Sequence, residues 1–150
     1  MGFDSIEPYL AYDGRGLILL CRTSNPGGSD LQAQTLASGD KLYEHIAKLA
    51  AGPWNRSGRL GLVVGATFPA EVARVRELAP KLLLLIPGIG AQGGDARATV
   101  AAGWRADGPI VVNSSRAVLY AGSGEGFAAA ARTVARATRD QLAAARAACA

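Results

Sequence analysis

Three stretches of the chain carry residue types suited to a phosphorylated ligand with a polar ring. Residues 87–94 read PGIGAQGG, with four glycines in eight positions. Glycine lets backbone N–H groups approach a ligand closely, an arrangement that suits an anion. Gln92 stands among these glycines, and its amide is free to reach a phosphate oxygen. The spacing is not that of a dinucleotide loop, because Gly88-x-Gly90 lacks the third glycine at the required distance. A loop that turns tightly and binds nothing is the competing reading. Residues 113–116 read NSSR and follow an apolar run. Arg116 has the planar fork that pairs bidentately with phosphate; pairing with a local carboxylate is the alternative. Residues 22–28, RTSNPGG, gather polar side chains and turn formers. Ser24 or its backbone suits the amide-like edge of a base, and a plain turn fits the same residues.

The missing residue types narrow the chemistry. His45 is the sole histidine, which excludes a His-based metal site or a Ser-His-Asp triad within these residues. Cys21 and Cys149 form neither a metal spacing nor a disulfide framework. No lysine, aspartate or glutamate immediately follows any of the apolar runs described next. Ligand contacts are present, and no general acid or base is evident.

Four short apolar runs, residues 17–21, 60–64, 82–86 and 109–112, are bounded by glycine or proline. Each is nearly continuous rather than alternating, as expected of parallel strands covered on both faces. Helical periodicity lies between them. Residues 5–9 form a short leading helix. Leu42, Ile46 and Leu49 share one face, while Lys41, Glu44, His45 and Lys48 face away. Pro69 opens a segment in which Val72, Val75 and Ala79 align, and Pro80 stops it. Residues 99–103 read as the end of a helix capped by Gly103. In the last helix Phe127, Ala131, Val134, Thr138, Leu142, Ala145 and Cys149 form one stripe, and Arg132, Arg136, Arg139 and Arg146 form a solvated one. The order α-β-α-β-α-β-α-β-α predicts an α/β fold of four parallel βα units with right-handed crossovers. Ligands bind at the C-terminal ends of such strands, where residues 22–28, 87–94 and 113–116 fall.

With 150 residues, 49% apolar and 19% charged, the chain suits one domain (residues 1–150) with a buried core. Nothing approaches the ~20 apolar residues of a membrane span, and no secretory signal is visible, which points to the cytoplasm. Sixteen basic against twelve acidic residues give a net charge of +4, with a sequence pI ≈ 9.4. The basic residues are dispersed and no aromatic-rich RNA-binding motif accompanies them, which argues against a nucleic-acid partner.

The stretches MGFDSIEPY (1–9), CRTSNPGG (21–28), GLVVGAT (61–67), PGIGAQGG (87–94) and NSSR (113–116) together resemble orotidine 5′-phosphate decarboxylase, specifically its longer bacterial branch. The resemblance runs through nearly the whole chain in the right order. It implies a (β/α)8 TIM barrel that works as a dimer and converts orotidine 5′-monophosphate to UMP and CO₂, in pyrimidine biosynthesis, without metal or organic cofactor. It also implies that Gln92 and Arg116 grip the 5′-phosphate, helped by backbone around Gly90 and Ser115. Ser24 would contact the pyrimidine ring, and Pro87 would line the pocket.

One departure from the family is plain. The family's catalytic Lys and Asp-x-Lys-x-x-Asp motif has no counterpart in this sequence. The matching stretches correspond to strands five to eight, a half barrel, and a full barrel takes ~250 residues. The resemblance therefore implies a phosphate- and pyrimidine-binding half with no catalytic residue, inactive alone. A non-catalytic UMP- or phosphate-binding module is the other reading. Open sheet edges imply association with an N-terminal half-barrel or with a second copy.

Overall fold

A computed structural model describes residues 2–90 and 93–149. The chain runs α1 (Phe3–Leu10), β1 (Leu17–Arg22), α2 (Gly28–Gln32), α3 (Leu42–Ala51), β2 (Leu60–Val64), α4 (Pro69–Leu78), β3 (Leu83–Pro87), α5 (Ala96–Gly103), β4 (Ile110–Asn113), α6 (Ser115–Leu119) and α7 (Phe127–Ala147), with a 3-10 turn at Gly124–Gly126. All strand pairs are parallel, and the order β1-β2-β3-β4 follows the sequence. Every expected strand is present, two of them shifted by one residue. The expected nine-element order omitted α2, α6 and the 3-10 turn. These are too short to show a hydrophobic period, which needs a window of two or more turns.

The sheet has one covered face and one open face. Leu62, Val64, Leu84 and Ile86 are fully buried beneath the helices, together with Val72 and Val75 of α4. On the opposite face, strand register aligns Leu20 with Val63, Val63 with Leu85, and Leu85 with Val111. The outer members of that row, Leu20 and Val111, are 51% and 48% exposed. Strands covered on both faces are therefore a correction: the residues are apolar on both sides, but one face keeps Leu20 and Val111 half exposed.

Two helical expectations also change. In α3 the buried face is Tyr43, Ile46, Ala47 and Ala50, while Leu42 and Leu49 are only half-buried. Gly103 is not a left-handed cap, since its φ is not among the positive values. It is the last residue of α5, where an added Cβ would lie 2.9 Å from Ile86 Cδ1 and 3.1 Å from Val72 Cγ1. A side chain there would crowd the tips of Ile86 and Val72, so glycine lets α5 pack closely against β3 and α4. The stripe on α7 holds from Ala131 to Ala145; Phe127 and Cys149 at its ends are exposed. Of the arginine stripe, Arg146 lies over the Trp104 ring at 5.8 Å.

Arg76 knots the N-terminal side of the sheet. Its buried guanidinium donates to the carbonyls of Gly103, Ala79, Pro80, Leu82, Gly108 and Pro109, joining the ends of α4 and α5 to the entries of β3 and β4. The desolvated charge is thereby matched by oriented backbone dipoles.

Candidate ligand site at the strand ends

The C-terminal ends of the four strands are tied to one another in series. Gly65 N–H donates to the Arg22 carbonyl at 2.8 Å, and Ala66 N–H donates to the Pro87 carbonyl at 2.8 Å. Ser114 Oγ then donates to the Ile89 carbonyl at 3.0 Å. Hydrogen bonds therefore link each of the four strand ends to the next. The glycines after β3 let that loop fold on itself: Gly93 N–H donates to the Gly90 carbonyl at 2.8 Å, and Gly94 N–H to Gly88 at 3.1 Å. Gly90 adopts φ +78°, a region that favours glycine, and its missing Cβ would lie 3.3 Å from Ala117 Cβ. Asp95 closes the loop by accepting from Ala98 N–H at 2.6 Å as the N-cap of α5.

Pro87, Gly88 and Ile89 from one loop meet Asn113, Ser114, Ser115 and Arg116 from the next around a pocket of ≈ 200 Å³. That is below the ~300–1,000 Å³ that enclose a drug-sized ligand, so it has room for one end of such a molecule. Arg116 is exposed and forms no ion pair among the described residues. Among the described residues no carboxylate lines the pocket. Asn113 Nδ2 donates to Ser115 Oγ at 3.3 Å, which steadies the hydroxyl at the pocket wall.

Three of the expected residues, Pro87, Ser115 and Arg116, share this pocket. Gly90 lines an adjoining crevice of ≈ 680 Å³ between its loop and α7, along with Ser114 and Ala117. A further crevice of ≈ 590 Å³, beneath α7 near Trp104 and Pro109, includes none of the expected residues. Ser24 sits in the β1 loop against Gly65, where an added Cβ would be 2.8 Å from the serine nitrogen. Gln92 lies outside the described residues.

Sequence reasoning missed the cluster beneath the β1 loop. A register shift between Leu20 and Arg22 breaks the strand's alternation, and Cys21 and Arg22 are both buried. Such a bulge re-aims a side chain, and Arg22 Nε reaches Glu71 Oε2 of α4 at 2.5 Å. Arg22 also donates to Ser29 Oγ at 3.0 Å and to Gln32 Oε1 at 3.3 Å, with the Phe68 ring 5.0 Å away. The available signal was an arginine ending an apolar strand; its partner, 49 residues on, is visible only once β1 and β2 are paired. Cys21 donates its thiol to the Tyr43 carbonyl at 3.3 Å, and burial pushes its pKa up to about 12. It is a structural thiol rather than a nucleophile.

A four-stranded parallel sheet with helices between its strands, its loops linked around a small pocket at the strand ends, defines an α/β fold of the kind that (β/α) barrels repeat. Residues 1–145 match the model of the orotidine 5′-phosphate decarboxylase / HUMPS family, and the chain belongs to that family. The orotidine 5′-phosphate decarboxylase of Paracidovorax citrulli is 74% identical over 149 residues, covering 97% of this chain and 54% of that protein. That of Variovorax paradoxus is 68% identical over the same length and coverage. Among solved structures, Leishmania donovani UMP synthase superposes with a TM-score of 0.80 at 43% identity, over 95% of this chain and 31% of that one. Leishmania donovani OMP decarboxylase gives 0.77 at 39% identity, over 95% and 54%. The chain spans about half the length of the curated relatives it matches. Its sheet corresponds to half of their barrel fold. Among the described residues no helix is long and apolar enough to cross a membrane.

Proposed function

We propose that residues 1–150 form the C-terminal half-barrel of an orotidine 5′-phosphate decarboxylase and supply its phosphate and pyrimidine contacts. The observation that carries this reading is the convergence of Pro87, Ser115 and the unpaired Arg116 on one pocket at the ends of adjacent strands. In this reading Arg116 and Gln92 hold the 5′-phosphate of orotidine 5′-monophosphate or UMP, with backbone at Gly90 and Ser115 assisting. Ser24 meets the pyrimidine edge and Pro87 packs against the ligand. A guanidinium on a doubly charged ester supplies binding energy remote from the reacting carbon, which helps reach the transition state.

The chain's own residues bind and orient; they do not decarboxylate. Arginine stays protonated near neutral pH and glutamine does not titrate, so neither replaces the Lys and Asp-x-Lys-x-x-Asp groups absent from this sequence. The purified chain should show no turnover of orotidine 5′-monophosphate, and robust release of CO₂ without another polypeptide would refute the division of labour. A non-catalytic module that binds UMP is the second reading, favoured by the same missing lysine and aspartates. The open row Leu20, Val63, Leu85 and Val111 calls for cover. An N-terminal half-barrel or a second copy would supply it, in the cytoplasm.

A further inference from the structure

The oxygen of Gln32 is the point on which the β1 loop is hung. Gln32 Oε1 accepts from Thr23 N–H at 2.8 Å, from Thr23 Oγ1 at 3.0 Å and from Arg22 Nη1 at 3.3 Å. The first two donors belong to the residue directly before Ser24. Arg22 also donates to the Thr23 carbonyl at 3.3 Å, so both backbone polar groups of Thr23 are claimed. Glu71 and Ser29 hold the rest of the guanidinium, and its side chain is only 2% exposed. Gly28 leaves the space: a Cβ there would lie 2.6 Å from Thr23 Oγ1 and 2.9 Å from Arg22 Nη1. From the other side Gly65 abuts Ser24 itself.

We propose that Gln32, acting through Thr23 and anchored by the Arg22–Glu71 pair, is a positioning residue that sets Ser24 for recognition of the base edge. This rests on the reading that Ser24 meets the pyrimidine. Gln32 touches no ligand. The cluster uses it as a hydrogen-bond acceptor, so the role depends on an oxygen at that position and not on side-chain volume. Losing the acceptor leaves Thr23 N–H and its hydroxyl without their partner in a part-buried site, and the loop is then free to settle elsewhere.

The test compares Gln32→Met, which keeps the volume and removes the oxygen, with Gln32→Glu, which keeps the oxygen. UMP and ribose 5-phosphate are titrated calorimetrically into the full chain and both variants, and amide hydrogen exchange of residues 23–25 is followed without ligand. Gln32→Met should weaken UMP about tenfold, the consequence of ~1.4 kcal/mol, while ribose 5-phosphate changes less than about twofold. Exchange at residues 23–25 should rise in Gln32→Met, and Gln32→Glu should restore both properties. Unchanged exchange in Gln32→Met overturns the inference, as does an equal loss for both ligands or failure of Gln32→Glu to rescue. If the unmodified chain holds UMP no better than ribose 5-phosphate, the pyrimidine reading of Ser24 fails instead, and the exchange data still decide whether Gln32 sets the loop.

Discussion

Gly65 backs onto Ser24 so closely that a methyl group at position 65 would lie 2.8 Å from both the Cβ and the backbone nitrogen of Ser24. Neither atom is the end of a flexible side chain, so the β1 loop itself must yield. The same glycine donates its N–H to the Arg22 carbonyl, fixing the two strand ends from both sides. Gly65→Ala should destabilise the chain by ~1–3 kcal/mol, the cost of inserting a methyl into a packed site. Urea unfolding reads this directly; an unchanged midpoint would mean that the loop has room to spare.

Arg22 and Glu71 join β1 to α4 with little solvent between them, their side chains 2% and 18% exposed. Removing one partner strands a charge, whereas replacing both with apolar groups removes the desolvation cost along with the attraction. Glu71→Ala should cost ~3 kcal/mol, at the low end for a buried pair because the glutamate keeps some water. The double variant Arg22→Met, Glu71→Leu should recover part of that loss. A Glu71→Ala protein as stable as the unmodified chain would show that water, and not the carboxylate, satisfies the guanidinium.

Burial raises the Cys21 thiol from 9.0 to about 12 and the Tyr43 hydroxyl from 10.0 to about 12. Both groups hold their protons more tightly folded than unfolded. Above pH 9.0 the unfolded chain therefore binds fewer protons than the folded one, and stability falls as pH rises toward 12. The contribution is fully present below pH 9.0. Urea midpoints measured from pH 8 upward should decline through this window, and Cys21→Ala should flatten the early part of the decline. Near neutral pH a thiol reagent should modify the exposed Cys149 at once and Cys21 only after unfolding; two rapid equivalents would contradict the burial.

How much of this was legible beforehand follows from the range of the interactions. Residues 60–64 form a strand as read, because a continuous Val- and Leu-rich run between glycines carries its own signal. Arg116 stood out because it follows such a run. Glu71 did not: its role depends on β1 and β2 lying side by side, which places it against an arginine far back in the sequence. The bulge at Cys21 hid Arg22 in the same way, since strict alternation assigns it to the face of Leu20. Gly103 shows the reverse error, a glycine read by local convention as a helix cap when its place is close tertiary packing against Ile86. Short α2 was invisible because five residues make too little of a period, yet it carries Gln32.

The open face makes its own demand. Leu20 and Val111 end an apolar row that crosses all four strands, and Ile18 beside it is 39% exposed. A patch of this kind seeks cover. In sedimentation equilibrium the chain should be associated, and Leu20→Lys with Val111→Lys should move it toward monomer. A soluble monomer that resists aggregation would contradict this account of the face.

Calorimetric titration of UMP into the chain and into Arg116→Ala tests the central claim most directly. Arg116 is exposed, so its loss should leave folding intact. The expected result is measurable UMP binding by the unmodified chain and a loss of about tenfold or more in the variant, as for a charge-assisted contact to phosphate. UMP binding of equal strength in Arg116→Ala, or none in the unmodified chain, would contradict the assignment of this half-barrel as the phosphate-gripping half.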